Sequence, residues 1–263
     1  MNLFISRHKI LCCALYNGFM WAVFLLFNFF AVMLSPGWWI LFGAFILFIS
    51  VMCVNASDQL VLGMAGEELN NNCDPYPLLE TACAQLQKVK SKSYRQVLLI
   101  NKMTALRELG EYAESKEILE SVNIDQYTGT LPVTKIIYYN NLVDILMLTG
   151  NTETALIWHK KLLRMAADFK GSKKNKTLID DTLKMTGIEI SISLGKLDEA
   201  ESFLTSLAPV SNRQIVEKTY LLAMIYIKQG RPIEAKEFLQ YVINNGNKLY
   251  IVEHAKILLE EIS

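Results

Sequence analysis

The chain has 263 residues, with 26 basic and 26 acidic side chains, and 52% of its residues are hydrophobic. A formal net charge of zero argues against a protein built chiefly to coat nucleic acid, because neutralising phosphate requires a basic excess. The length admits one membrane anchor plus one domain, or two small domains.

Hydrophobicity is unevenly spread. Residues 1–54 hold no Asp or Glu and only Arg7 and Lys9 as basic residues, whereas 55–263 holds 24 basic and 26 acidic residues, net −2. From Leu11 to Leu34 runs a 24-residue stretch without a charge, followed by Ser35-Pro36-Gly37 and a second apolar run from Trp38 to Val54. At 1.5 Å per residue the two runs span about 36 Å and about 26 Å, against a hydrocarbon core of roughly 30 Å. Backbone polar groups in lipid must bond internally, so both runs are expected to be helices, and the Ser-Pro-Gly break makes them a hairpin. A secretory signal would have a shorter apolar core ending in a small-residue cleavage site, and neither feature is present.

Arg7 and Lys9 precede the first run and the hairpin tip is uncharged. The positive-inside rule then places the N-terminus and everything after residue 54 in the cytoplasm, and the compact tip suggests a bacterial cytoplasmic membrane. The five cysteines form no CxxC pair, which suits a reducing compartment better than a disulfide framework. Asn17 and Asn28, 11 residues apart, share one helical face. They are candidates for contact with another membrane protein, the alternative being amide bonds within the hairpin. A span without charges offers no proton or ion pathway.

Residues 55–76 read as a linker carrying one short apolar patch, LVLGMAG, and a leading helix is expected over about 77–90. Beyond it four segments share one pattern: an apolar helix, a Gly, four residues, a small residue, then an amphipathic helix. They are LRELGEYAESKEIL around Gly110, LMLTGNTETALIWH around Gly150, SISLGKLDEAESFL around Gly195 and YIKQGRPIEAKEFL around Gly230. The glycines lie 40, 45 and 35 residues apart, room for two helices and their turns in each interval. Gly supplies the left-handed backbone that ends a helix in a tight turn, and the small residue five positions on lets the next helix cross closely. Pro232 falls in the first turn of its helix, where a missing N–H costs nothing. A closing helix is expected over about 248–262 to cover the open end of the array.

This pattern resembles the tetratricopeptide repeat, whose hallmark is a G-x-Y-x-x-A turn between two antiparallel helices. The last copy fits best, with Leu222, Ala223 and Tyr226, then Gly230, Ala235 and Leu239. The first copy has Ser115 in place of Ala; the second has His159 where a large apolar residue is usual; the third has Gly187 and Ser191 inside its first helix, which should loosen it. The resemblance implies an all-α, right-handed helical-repeat solenoid of about four repeats over 77–263, following the two-helix hairpin of 1–54. It also implies a peptide groove lined by the first helix of each pair. Carried over position by position, that groove holds Asn140 and Asp144, Met185 and Glu189, and Tyr220 and Met224. Acidic groups with soft apolar anchors suit a basic or amphipathic segment of a protein partner. The lysines that clamp a C-terminal carboxylate in one subclass of the family are replaced here by Asn140 and Asp144, so chaperone-tail binding is not expected.

The sequence shows no reaction centre. His8, His159 and His254 form no metal-ligand spacing, and no phosphate loop, nucleophile elbow or dinucleotide fingerprint is present. Neither a cofactor nor a metal is expected. The stretch 170–176 carries Lys170, Lys173, Lys174 and Lys176, which could meet an anionic membrane surface or else form a solvated loop. The leading expectation is a membrane-anchored, non-enzymatic interaction module with two partners, a protein or peptide in the groove and the bilayer through residues 11–54. The alternative is an accessory or regulatory subunit of a transporter or membrane enzyme, with the hairpin contacting that integral-membrane partner.

Overall fold

The computed structural model describes Trp21, residues 37–122, Ile124 and residues 132–263. The first expected membrane helix, 11–34, lies outside the described residues apart from Trp21, and so do Asn17 and Asn28. The described residues form eleven helices and no strand. They are α1 (Gly37–Asn72), α2 (Tyr76–Leu86), α3 (Lys92–Glu108), α4 (Tyr112–Ser121), α5 (Pro132–Leu148), α6 (Thr152–Ala167), α7 (Lys173–Ser193), α8 (Leu197–Ser206), α9 (Asn212–Lys228), α10 (Pro232–Asn245) and α11 (Tyr250–Glu261). The chain divides into two compact units, 1–64 and 65–263, and α1 contributes to both. Among the described residues no helix is long and apolar enough to cross a membrane; most side chains of 37–56 fall outside the description.

The stretch expected to be a linker is helical as far as Asn72. Its apolar patch is the reason: Leu62, Ala65 and Leu69 recur at helical spacing and are buried. The leading helix is also shorter than expected. It stops at Leu86, and α3 starts afresh at Lys92, capped by the Ser91 hydroxyl, which accepts from the Tyr94 N–H at 3.3 Å.

The four glycine turns share one geometry. Gly110, Gly150, Gly195 and Gly230 have φ between +71° and +83°. In each, the N–H of the following residue reaches back to a carbonyl five residues earlier: Glu111 to Leu106, Asn151 to Leu146, Lys196 to Ser191 and Arg231 to Tyr226, at 2.8–2.9 Å. This paired bonding caps the last carbonyls of the first helix and turns the chain straight into the second. The small residues five positions on, Ser115, Ala155, Ala200 and Ala235, are completely buried where the helices cross. Ser115 replaces Ala without penalty because its hydroxyl donates to the Met103 carbonyl at 3.1 Å.

The pairs α3–α4, α5–α6, α7–α8 and α9–α10 follow, each packed on the next. First helices α3, α5 and α7 stack in succession, and α9 packs chiefly on α8, its side chains meeting those of α7 in a shared core. One core cluster runs from Ile100 to Leu183 and a second from Met185 to Ile225. Two departures from the repeat pattern meet each other. His159 is buried against Gly187, where a Cβ would lie 3.5 Å from the imidazole Nε2. A side-chain carbon at Gly187 would make only ordinary van der Waals contact with that ring, and α7 continues unbroken through the glycine.

Both ends of the array meet. Asn212 donates to the Asn71 carbonyl at 2.6 Å, Asn247 to the Asn72 carbonyl at 2.8 Å, and the Lys248 N–H to the Cys73 carbonyl at 3.2 Å. The closing helix α11 packs on α9 and α10. It also reaches the first repeat, where the Tyr250 ring stands edge-on to Tyr112 with centroids 5.5 Å apart.

This closure singles out one turn. A Cβ on Gly110 would lie 3.1 Å from the Tyr250 Cβ, whereas Gly150, Gly195 and Gly230 have open space around them. Gly150→Ala should cost about 1 kcal/mol from the left-handed backbone alone, and Gly110→Ala about 2 kcal/mol or more. Urea unfolding of the four Gly→Ala variants measures the difference; equal losses at all four turns would contradict the contact between α11 and the first repeat.

Candidate functional site

The inner faces of α3, α5, α7 and α9 line, with α11, a half-open cavity of about 240 Å³. Charged groups on its wall come from every one of the four repeats. Arg107 and Glu108 end α3, Asp144 lies on α5, Glu189 on α7 and Glu217 on α9. Tyr220, Tyr250 and His254 complete the polar lining.

The positions follow from helical spacing. Asp144 and Glu189 each stand six residues before their turn glycine, so equivalent helices point them to the same inner face. The first repeat has Thr104 at that position, and Arg107 and Glu108 follow at three and four residues, on the same face. Glu217 precedes Tyr220 by three residues on α9, and Arg213 precedes Glu217 by four.

These groups form one buried network. Glu108, only 3% exposed, accepts from Arg107 Nη2 at 2.6 Å and from Arg213 Nη1 at 3.0 Å. Arg213 Nη1 also reaches Glu217 at 2.6 Å, and its Nε donates to Asn70 at 3.2 Å. On the other side Arg107 Nη1 pairs closely with Asp144 and lies 3.0 Å from Asn141 Oδ1. Asp144 Oδ2 accepts from Asn140 at 3.0 Å, and the Thr186 hydroxyl lies 2.9 Å from Asn140 Oδ1 and 3.2 Å from Asp144 Oδ1. The network therefore links α9, α3, α5 and α7.

Glu189 stands apart: it lines the cavity half-buried, with neither a hydrogen bond nor an ion pair among the described residues. Burial, reinforced by the neighbouring Asp144 carboxylate, pushes it up to about 8. Burial likewise pushes Glu217 up to about 7 against the pull of Arg213. For Glu108 burial opposes ionisation too, yet Arg213 and Arg107 outweigh it and hold this carboxyl below its usual range.

Of the six expected groove residues, Asp144, Glu189 and Tyr220 line the cavity. Asn140 and Met185 do not. Asn140 is 5% exposed and bonded inside the network, and Met185 belongs to the apolar core between α7 and α9. Met224 is half-buried and off the cavity wall. The groove expected to be open is closed at one side by α11. The register carried over gives Ile100 and Thr104 in the first repeat, so it does not find Arg107 and Glu108, which lie three and four residues beyond Thr104 on the same face. Glu217 and Arg213 lie one and two turns upstream of Tyr220 on the same face.

The lysine stretch is not a free loop. The Ser172 hydroxyl accepts from the Asn175 N–H at 3.3 Å and starts α7, so Lys173, Lys174 and Lys176 belong to its first turn. Lys170, Lys173 and Lys176 are exposed. Among the described residues no cluster of His, Cys, Asp or Glu could hold a metal ion. His159 is a core residue: burial lowers its pKa and its Nδ1 has no hydrogen-bond partner. Cys73 and Cys83 are free thiols.

Comparison with known proteins fits this geometry at one place. A family profile described as the tetratricopeptide repeat matches residues 220–244, which span the end of α9, the Gly230 turn and nearly all of α10. No curated protein and no solved structure matches the chain.

The raised Glu189 sets a pH dependence. Its folded pKa lies above the ordinary 4.5, so its contribution to stability is complete below pH 4.5 and is lost as pH rises through about 8. Glu189→Gln should therefore match the wild type near pH 5 and exceed it near pH 8.5, by about 2 kcal/mol or roughly 4–8 °C in Tm. Thermal melts of both proteins at the two pH values measure this. A gap that is the same at pH 5 and pH 8.5 would mean that Glu189 ionises normally.

Proposed function

We propose that the protein is a membrane-anchored interaction module whose helical-repeat unit recruits a basic or amphipathic segment of a protein partner. The observation that carries the protein-binding part is the tetratricopeptide-repeat match at 220–244, set in an array of four helix pairs whose inner faces converge on one acidic cavity. Repeats of this kind recognise protein segments through the inner face, and Glu189 and Tyr220 stand on that face here.

The anchor rests on the sequence. The uncharged runs 11–34 and 38–54 are long enough for a hairpin, and Arg7 and Lys9 orient it with the repeats on the cytoplasmic side of a bacterial membrane. Tethering to a surface raises the effective concentration of the repeats near a membrane-associated partner, so a modest intrinsic affinity suffices. The exposed Lys170, Lys173 and Lys176 carry the charge that would add contact with anionic headgroups. A second reading draws on Asn17 and Asn28 in an otherwise apolar run: the hairpin would contact a transporter or membrane enzyme and the repeats would regulate it.

In-cell crosslinking and affinity capture of the full chain test the proposal. A partner captured by the wild type should be lost by a Glu189→Lys, Tyr220→Ala variant that keeps its helical melt, and kept when residues 11–54 are exchanged for an unrelated two-helix anchor. A partner that follows the native hairpin and ignores the double variant would overturn the groove reading in favour of the accessory-subunit one.

A further inference from the structure

The cavity is too small for the ligand usually associated with an inner repeat face. At about 240 Å³ it falls below the roughly 300–1,000 Å³ of pockets for drug-sized molecules, and α11 covers one side of it. Its depth has room for one side-chain-sized group.

Four carboxyl groups, Glu108, Asp144, Glu189 and Glu217, share this site with two guanidinium groups, Arg107 and Arg213. Both guanidinium groups are already engaged: Arg107 binds Glu108 and Asp144, and Arg213 binds Glu108 and Glu217. Glu189, on the remaining wall, has no hydrogen bond or ion pair among the described residues, and the attraction of Arg107 is outweighed by burial and by Asp144. Ionising it there is costly without a donor at contact distance.

The rest of the wall indicates what kind of cation would. Tyr220 and Tyr250 contribute aromatic rings, and Met147, Leu148, Leu221 and Ile251 contribute apolar surface. Aromatic and apolar walls around one carboxylate suit a cation with a hydrocarbon stem, through ion pairing, cation–π attraction and burial of the stem. A bare metal ion would need several oxygen or nitrogen ligands converging on one point, and the described residues hold no such group.

We propose that this cavity is a receptor for a single organic cation, a primary ammonium or a guanidinium group on a short alkyl stem, with Glu189 as its counter-ion. Where the cation is a partner's side chain, the proposal rests on the protein-interaction reading and narrows it to one group. The cation can arrive as the side chain of a lysine or arginine on a partner, or as a free amine or guanidine. Binding ionises Glu189, which is otherwise largely protonated at neutral pH because of its burial. A proton is therefore released, and affinity rises with pH. The groups that share the cavity and shape this response are Arg107 and Glu108 from α3, Asp144 from α5, Glu217 from α9 and His254 from α11.

Isothermal titration of the full chain in detergent tests this with n-butylammonium and ethylguanidinium chloride, against n-butanol and N-ethylurea as neutral counterparts. At least one cation should bind saturably at 1:1, with a Kd below about 10 mM, and neither neutral compound should. Affinity should rise about fivefold or more between pH 6 and pH 8.5, and Glu189→Gln should lower it about tenfold and abolish the pH response. A Gly-Ser peptide with one central Arg or Lys is the second arm. Binding of the peptide as tightly as the small cation identifies a partner's side chain as the source, whereas binding of the small cation alone identifies a free metabolite. No saturable binding by either cation, equal binding by the neutral compounds, or unchanged binding to a folded Glu189→Gln variant would overturn the proposal. Cation binding together with failure to capture a protein would overturn only the interaction reading.

Discussion

One carboxylate holds the array closed. Glu108 sits at the end of the first helix of the first repeat and accepts from two arginines, Arg107 beside it and Arg213 at the start of α9, 105 residues away. Buried ion pairs are poor sources of net stability, because desolvating the charges cancels most of their attraction. Removing one member is a different matter, since it strands a buried charge, commonly at a loss of about 3–5 kcal/mol. The network therefore works as a specificity device. It makes any arrangement in which α9 and α3 drift apart expensive, and it sets the register in which the ends of the array meet.

The reach of the arginine side chain explains why a cavity exists at all. First helices α3, α5 and α7 pack on one another, but α9 leans on α8. Apolar side chains of α7, α8 and α9 share a core, and the inner side toward α3 is spanned by arginine, which carries a planar multi-donor head on a long stem. Arg213 spans from α9 to Glu108 while also holding Asn70 and Glu217. Tyr250 and Tyr112 close the same gap from the end of the chain. Long polar and aromatic side chains make the closure, with little backbone packing between α3 and α9, and the residual volume between them stays open.

Local rules made the repeat units readable and left their closure unread. Each turn glycine announces a left-handed backbone, and the buried small residue five positions later announces a close crossing; both are properties of a short window of sequence. The same windows point Asp144, Glu189 and Tyr220 inward. They do not reveal that Asn140 is consumed by Asp144 and Thr186, or that Met185 lies in the core, since both depend on which neighbour each helix meets. Residues 55–72 were misread for a similar reason. Two glycines and several polar residues suggest a linker, while the apolar positions Leu62, Ala65 and Leu69 keep a helical period and bury one face. Burial of that face outweighs the helix-breaking tendency of Gly63 and Gly66, each worth only about 1 kcal/mol. Nothing local could pair Glu108 with Arg213, because the pairing exists only once four repeats have been laid down.

The closed array changes what an inner face of this kind can select. An open groove recognises a ribbon of backbone and side chains, and its affinity grows with the length engaged. A small cavity walled by charges selects by the chemistry of one group, because every wrong charge or missing donor leaves a buried partner unsatisfied. Glu108 and Asp144 are held by arginines and are therefore fixed parts of the wall. Glu189 is the variable part: its position is set by α7, and it makes no ion pair among the described residues. Selectivity on this face then rests less on the surface it buries than on the single unpaired carboxylate that closure has left inside.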